Sequence, residues 1–366
     1  MKKKTFENFP WSLWWGFVFL IVVGIANLYS ALSVWGEGAK LNLFWNQILW
    51  FGVGFVIMLF FVSIDYRLWE KLGVIFYLAT LSILILVLLV GKEVNGQRSW
   101  FHSGPISFQP SEFGKIGLVL ILAKFFGDNP TPSGFTFRGL LKPLGLTLAP
   151  FALVLLQKDL GSSLFFPLLF MTFVFVARIK KRTAAVFLCL VALGGGLAYQ
   201  YGLKPYQKTR LSIFLHPEKD PKASGYHLMQ ARIAVGSGKI FGKGYLKGQI
   251  NKLKYLPDKH TDFIFPVLAE EWGFLGSFVT LGLFAFLLWS GISIALKARE
   301  PFGSFLALGV VGLFFWHLVI NLGGVLGIIP LTGVPLPFLS YGGTSTVVFL
   351  MGIGLLFNIH MRRFMF

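Results

Sequence analysis

Long apolar runs repeat along almost the whole chain, separated by short polar turns. Segments 11–34, 43–63, 72–90, 112–126, 140–156, 161–177, 183–200, 263–296, 302–328 and 343–359 each read as a spanning helix. Crossing a hydrocarbon core of ~30 Å takes about 20 apolar residues at about 1.5 Å per residue. A membrane barrel would show alternating segments of about 10 residues instead. Runs such as Leu72 to Val90 are apolar on every face, and a helix satisfies its own backbone where no water can. The pattern predicts an all-α polytopic membrane protein of about ten transmembrane helices.

Composition strengthens this reading, with 55% hydrophobic, 17% aromatic and only 13% charged residues against about 25% charged in an ordinary soluble domain. The formal charge of +18 does not point to nucleic acid, because the basic residues are spread between apolar runs rather than gathered on one solvated face. They follow the rule that cytoplasmic turns are basic: Lys2 to Lys4, then Arg67 and Lys71, then Lys124, Arg138 and Lys142, then Arg178, Lys180, Lys181 and Arg182, then Lys297 and Arg299, and finally Arg362 and Arg363. Both termini are therefore predicted to be cytoplasmic. The leading lysines resemble the start of a secretory signal, but 11–34 is longer than a signal core and more spans follow, so it is read as retained. Cys189 is the single cysteine; it excludes an intramolecular disulfide and reads as a small buried side chain.

One stretch departs from the short-turn pattern. Residues 201–262, between helices 7 and 8, hold twelve Lys or Arg and only Glu218, Asp220, Asp258 and Asp262 as acids. Placed outside, the stretch is long enough to escape the charge rule. A solvated basic loop on anionic headgroups is one reading. The helical spacing of Tyr226, Met229 and Ile233, followed by Gly236, Gly238, Gly242, Gly244 and Gly248, favours a folded extracellular loop packed on the membrane surface. The chain is thus read as a single transmembrane domain, 1–366, with 201–262 as its large outer loop.

Four polar clusters map to that same outer side. In the first, Asp258, His260 and Asp262 stand where the loop enters the eighth span; Thr261 or Asp262 could cap the helix, or a carboxylate beside Phe263, Ile264 and Phe265 could be desolvated enough to act as a base. Glu270 and Glu271 lie about 12 Å deeper and are expected to pair with cations on neighbouring spans. In the second, Ser111, Glu112 and Lys115 resemble a helix opening with Glu112 and Lys115 one turn apart, while the Arg98 guanidinium suits phosphate; an ion pair of Glu112 with one of these cations is the plainer alternative. The third is Gln157 to Ser163, where Asp159 could merely cap the sixth span. The fourth, Pro330 to Gly343 with Ser340, holds too many prolines and glycines to be helical throughout, and either lines a cavity or forms a re-entrant plug. His317 and Asn321, one turn apart, are expected to lock helices together rather than bind metal. Convergence of the four clusters on one side favours a single shared outward-facing site.

The segments Gln109-Pro-Ser-Glu112, Gln157-Lys-Asp-Leu-Gly161, Gly225 to Gly238, His260-Thr-Asp-Phe-Ile264 with Ala269-Glu-Glu271, and Thr332 to Phe338 through Ser340-Tyr-Gly-Gly343 together resemble the SEDS family of bacterial shape, elongation, division and sporulation proteins. The likeness covers nearly the whole chain and, on the short tails, is nearer to the RodA branch than to the FtsW branch. Gln97 stands where the family usually has Arg, and Lys158 where Pro is more usual. The resemblance implies a peptidoglycan glycosyltransferase of the bacterial inner membrane, polymerising lipid II into glycan strands at the periplasmic or outer face during cell elongation, with release of undecaprenyl pyrophosphate. It implies Asp262 as the catalytic acid and general base, and a class B penicillin-binding protein as partner, beside the membrane lipids themselves. Cationic help for the departing pyrophosphate would come from Arg98 and Lys115, with or without a divalent magnesium or manganese ion, with Glu112 orienting them and Asp159 and Ser340 as secondary contacts. His260, Glu270, Glu271, His317 and Asn321 are expected to be structural or secondary. An apolar groove beside the outer loop should admit the lipid tail. A lipid II flippase and a non-catalytic scaffold that activates the penicillin-binding protein are the alternatives; polar groups confined to the outer side weigh against transport.

Overall fold

The computed structural model describes residues 9–33, 41–94, 96–103, 106–197, 200, 208, 212–214, 216, 224–252 and 259–363. Expectations resting on Lys2 to Lys4, Asn95, Glu218, Asp220 and Asp258 fall outside these residues. Helices occupy all ten expected segments: α1 (Trp11–Ser33), α2 (Leu41–Ser63), α3 (Tyr66–Val90), α4 (Pro110–Asp128), α5 (Phe137–Leu156), the pair α6 (Leu160–Ser163) and α7 (Phe165–Val176), α8 (Lys181–Leu197), α11 (Ile264–Lys297), α12 (Pro301–Leu326) and α13 (Gly343–Arg362). In the 201–262 loop lie α9 (Ser224–Ser237) and α10 (Gln249–Lys252). Seven helices, α1, α2, α3, α5, α11, α12 and α13, are long and apolar enough to cross a membrane. The others fall short for local reasons: α4 carries Glu112, Lys115, Lys124 and Asp128, the sixth segment is split at Leu164, and α8 is short. The chain is a mostly helical, multi-pass membrane protein.

α4 and α13 sit innermost. α13 is buried almost end to end and packs chiefly on α2, α4 packs between α3 and α12, and α11 packs on α12 and α1. Large apolar side chains such as Phe175, Leu89 and Trp289 face outward, where lipid takes the place of protein. Inside, Asn358 makes the polar connection that lipid cannot: its side-chain amide donates to the carbonyls of Phe61, Val62 and Ile64 at the end of α2, and its carbonyl accepts from the Tyr66 amide that opens α3. Cys189, expected to be buried, is exposed on α8, because in a bilayer the apolar surroundings of a thiol need not be protein.

Two further expectations are corrected. The turn between the third and fourth spans is a small antiparallel sheet, β1 (Lys92–Val94), β2 (Gln97–Ser103) and β3 (Ile106–Phe108), so the fold is not wholly α; Trp100 and Phe101 suit a pleated surface, and Phe101 pairs with Phe108 across β2 and β3. On α9 the buried face is Leu228, Ala231 and Ala234, whereas Met229 and Ile233 are exposed. Small side chains let α9 lie close against Phe263 and Val325, which a stripe of bulky residues would prevent.

The eighth span is two helices in series. At Gly273 the backbone turns to φ +66°, ψ −161°, a region essentially closed to other residues. The chain from Gly238 to Gly248 enters the break. Lys243 and Gly244 amides donate to the Glu270 and Glu271 carbonyls that end the upper half, and the Lys239 and Ile240 carbonyls accept from the Phe274 and Leu275 amides that open the lower half. Broken helices at membrane depth persist when protein replaces the lost bonds in this way. A Cβ on Gly273 would overlap the Gly242 amide and the Ile240 carbonyl. Gly273→Ala is accordingly expected to cost at least about 1–3 kcal/mol from backbone strain alone, read as a lower unfolding midpoint in detergent; an unchanged midpoint would show that the break is dispensable.

Candidate functional site

The buried end of α4 supplies the cations and acids. Pro110 opens the helix, with its missing N–H at a position that needs none, so Gln109 rather than Ser111 takes the N-cap position. Glu112 and Lys115 then point inward, 3% and 1% exposed, and pair at 2.6 Å. The Lys115 ammonium also lies 3.1 Å from His317 Nε2 and 4.1 Å from the centre of the Phe165 ring. Glu112 Oε2 is buried without a hydrogen-bond partner. A carboxylate oxygen left in this state at a cavity wall is an acceptor available to a ligand.

Asp159 is N-cap of α6: its Oδ1 accepts from the Ser162 amide at 3.0 Å, and its Oδ2 accepts from the Gln109 side chain at 2.9 Å. The capping alternative therefore holds, and the same carboxylate still faces the cavity.

Asp262 stands in the turn before α11 and is partly exposed; the N-cap position falls on Phe263, so neither Thr261 nor Asp262 occupies it. The turn is held from below. Asn321 on α12 donates to the Asp262 carbonyl at 3.1 Å and to the Val334 carbonyl at 2.7 Å, and Ser340 Oγ donates to the Thr261 carbonyl at 2.6 Å while accepting from the Leu336 amide. Gly333, at φ +73°, brings the irregular 330–343 segment alongside the Asp262 carboxylate, whose Oδ2 lies 3.4 Å from where a Cβ on that glycine would stand.

These elements enclose one cavity of about 460 Å³. Asp262, Glu112, Lys115 and Asp159 all line it, with Gln97, Trp100, Gln109, Ser162, Tyr341 and Thr344 as further polar or aromatic wall. Ile213, Phe214 and Leu228 of the 201–262 loop, with Leu331, make an apolar edge. Within 330–343, Leu336, Phe338 and Leu339 are buried, while Leu331 to Pro335 and Tyr341 to Gly343 face the cavity.

Not every expected residue arrives there. Arg98 is exposed, and its guanidinium donates to the Leu88 carbonyl at 3.4 Å; Gln97 faces the cavity from the same strand. Ser340 and Asn321 support it from behind, and His317 meets its wall through Lys115 and the Pro335 carbonyl. The His260 carbonyl accepts from the Tyr341 amide at 2.7 Å, a backbone role. Glu270 and Glu271 lie away from the cavity and, contrary to expectation, their described partners are not cations of neighbouring spans. Glu270 pairs at 2.7 Å with Lys243 of the inserted hairpin and accepts from the Gln249 amide, and Glu271 accepts from Ser30 and the Leu246 amide. Sequence reasoning missed Ser162 and Thr344 as cavity wall, and also Lys259, fully buried three residues before Asp262; the only hint was their proximity to residues already singled out.

Among the described residues no three His, Cys, Asp or Glu side chains gather as a metal site, and both Asp159 oxygens already accept hydrogen bonds.

Fold and site together define a multi-pass helical membrane protein with a polar, mixed-charge cavity at its helix ends and an apolar edge beside it. A family model described as "Cell cycle protein", for the FtsW, RodA and SpoVE proteins, matches residues 11–364, and the chain belongs to this family, the SEDS proteins. It is similar to stage V sporulation protein E of Bacillus subtilis (38% identity over 93% of each chain) and to peptidoglycan glycosyltransferase MrdB of Escherichia coli K12 (35% over 94% of this chain and 93% of that one). It also resembles peptidoglycan glycosyltransferase RodA of Treponema pallidum, at 31% identity over 99% of this chain and the whole of that one. Among solved structures, one described as structural coordination of polymerization and crosslinking by a peptidoglycan synthase complex aligns at TM-score 0.83 with 34% identity over 97% of this chain and 98% of that chain. The rod shape determining protein RodA of Thermus thermophilus aligns at 0.72 with 31% identity over the same shares.

Proposed function

We propose that the chain is a peptidoglycan glycosyltransferase that polymerises lipid II. The observation that carries this reading is the single cavity in which a partly exposed carboxylate, Asp262, shares walls with a buried ammonium, Lys115. Glycosyl transfer from a diphosphate donor needs those two charges. The acceptor hydroxyl oxygen bonds to the anomeric carbon of the donor sugar as the bond from that carbon to the diphosphate oxygen breaks. Asp262 takes the hydroxyl proton, and Lys115 stabilises the charge gathering on the departing undecaprenyl pyrophosphate. Glu112 holds Lys115 by one oxygen and offers the other to a substrate hydroxyl; Asp159, Gln109 and Ser162 supply further hydrogen-bonding wall. The prenyl chain lies along the apolar edge formed by Phe214, Leu228 and Leu331. No step is routed through a metal; a magnesium or manganese ion that shares the load would arrive on the substrate's diphosphate, as magnesium commonly does.

The topology that suits this chemistry has ten spans in the bacterial inner membrane, both termini cytoplasmic, the 201–262 loop and the cavity outside, and the chain working with a class B penicillin-binding protein. The test is polymerisation of fluorescent lipid II by the purified protein, with that partner, in detergent, followed by electrophoresis after chelation and again after adding magnesium or manganese. Polymer is expected. Its absence under all three conditions, with intact folding, would sink the reading and leave transport or scaffolding.

A further inference from the structure

The mechanism above uses Lys115 and Asp262 but does not explain what sets the distance between them. They belong to different elements, α4 and the turn before α11. Both are tied to one face of α12. At one position His317, fully buried, meets Lys115 at 3.1 Å through Nε2 and the Pro335 carbonyl at 3.1 Å through Nδ1. One turn further on, Asn321 holds the Asp262 and Val334 carbonyls.

The ring's protonation pattern follows from its partners. A carbonyl oxygen only accepts, so Nδ1 bears the hydrogen, and the Nε2 lone pair is left to accept from the ammonium. Phe165, at 4.1 Å between ring centres, and Phe349, edge-on at 4.8 Å, pack against the imidazole. The Lys115 ammonium thereby spends one N–H on Glu112 and one on a neutral acceptor, while its remaining direction faces the Phe165 ring, an acceptor weak enough for an oxyanion to displace. A second carboxylate in place of His317 would neutralise the cation before any diphosphate arrived, and an apolar side chain would leave an N–H unpaired.

Resting on the glycosyltransferase reading, we infer that His317 is a positioning residue that locks the Lys115 ammonium to the Pro335 carbonyl and so fixes the leaving-group cation relative to Asp262. It touches no reacting atom. Its effect must therefore pass through Lys115, which a merely structural histidine would not require.

A double-mutant cycle reads this out. His317→Phe, which fills the space but neither donates nor accepts, is expected to lower lipid II turnover about 100-fold, the loss associated with misplacing a group by about 1 Å. His317→Gln, which can offer an amide N–H to Pro335 and an oxygen to Lys115, is expected to recover most of it. In the background Lys115→Met with Glu112→Gln, where no charge remains to be placed, His317→Phe is expected to change nothing further beyond about 2-fold. The same cycle is measured as binding of undecaprenyl pyrophosphate, which stays readable when turnover is too low. Equal losses from His317→Phe in both backgrounds, or a Gln variant as impaired as Phe, would overturn the inference while leaving the enzyme reading intact. A wild-type protein that neither polymerises lipid II nor binds undecaprenyl pyrophosphate would instead overturn the enzyme reading on which it rests.

Discussion

Asp262→Asn is expected to lower lipid II polymerisation by roughly 10²–10⁴-fold, the range a positioned general base contributes, with little change in stability. The asparagine keeps the shape of the side chain and its hydrogen-bonding capacity but cannot accept the acceptor hydroxyl's proton. The backbone of the turn is held by Asn321 on the Asp262 carbonyl and Ser340 on the Thr261 carbonyl, contacts that the substitution leaves in place. The side chain is also only partly buried, and a change there is expected to stay within about 1 kcal/mol in unfolding, near the range for positions outside a packed core. Electrophoresis of the product with thermal unfolding on the same preparation checks both halves. Activity within 10-fold of wild type would remove Asp262 from the chemistry; activity lost together with the fold would show the turn to be structural.

How far the sequence reached depended on the range of the interaction concerned. The helices were legible because apolar length is a local property: helices occupy all ten expected segments, and seven of them are long and apolar enough to cross a membrane. Glu112 with Lys115 was legible because three residues on a helix make one turn, and the structure pairs them at 2.6 Å. What the sequence hid lay at long range. Gly273 is followed by twenty-odd residues of uninterrupted helix, and nothing local announces that a hairpin some 30 positions earlier supplies the hydrogen bonds that make a break affordable. The same hairpin supplies Lys243 to Glu270 and the Leu246 amide to Glu271, which Ser30 of α1 also meets, where the sequence suggested cations on neighbouring spans. Arg98 looked like a phosphate ligand from its chemistry alone; on β2 its side chain turns to the Leu88 carbonyl and Gln97 faces the cavity, and strand orientation cannot be read from a turn not recognised as a strand. His317 and Asn321 were rightly placed on one helical face, but their partners, at Lys115, Pro335, Asp262 and Val334, come from segments distant in sequence.

Lys115→Met should separate stability from chemistry more sharply than any other change. Methionine follows the lysine stem in length but leaves Glu112, 3% exposed, as an unpaired charge among apolar side chains, and breaking a buried pair from one side typically costs about 3–5 kcal/mol. The single variant is therefore expected to unfold at markedly lower temperature and to make no measurable polymer, an outcome that by itself proves little. Adding Glu112→Gln removes the stranded charge, and because a buried pair often contributes little over neutral groups of the same volume, the double variant is expected to regain most of the lost midpoint. Polymerisation should not return with it. Without an ammonium at this wall the diphosphate leaves unassisted, at a cost of about 10²–10³-fold, comparable to deleting one preorganised donor to a developing oxyanion. A double variant that is both stable and active would mean that Lys115 serves only to neutralise Glu112, and that the charge on the leaving group is met elsewhere in the cavity.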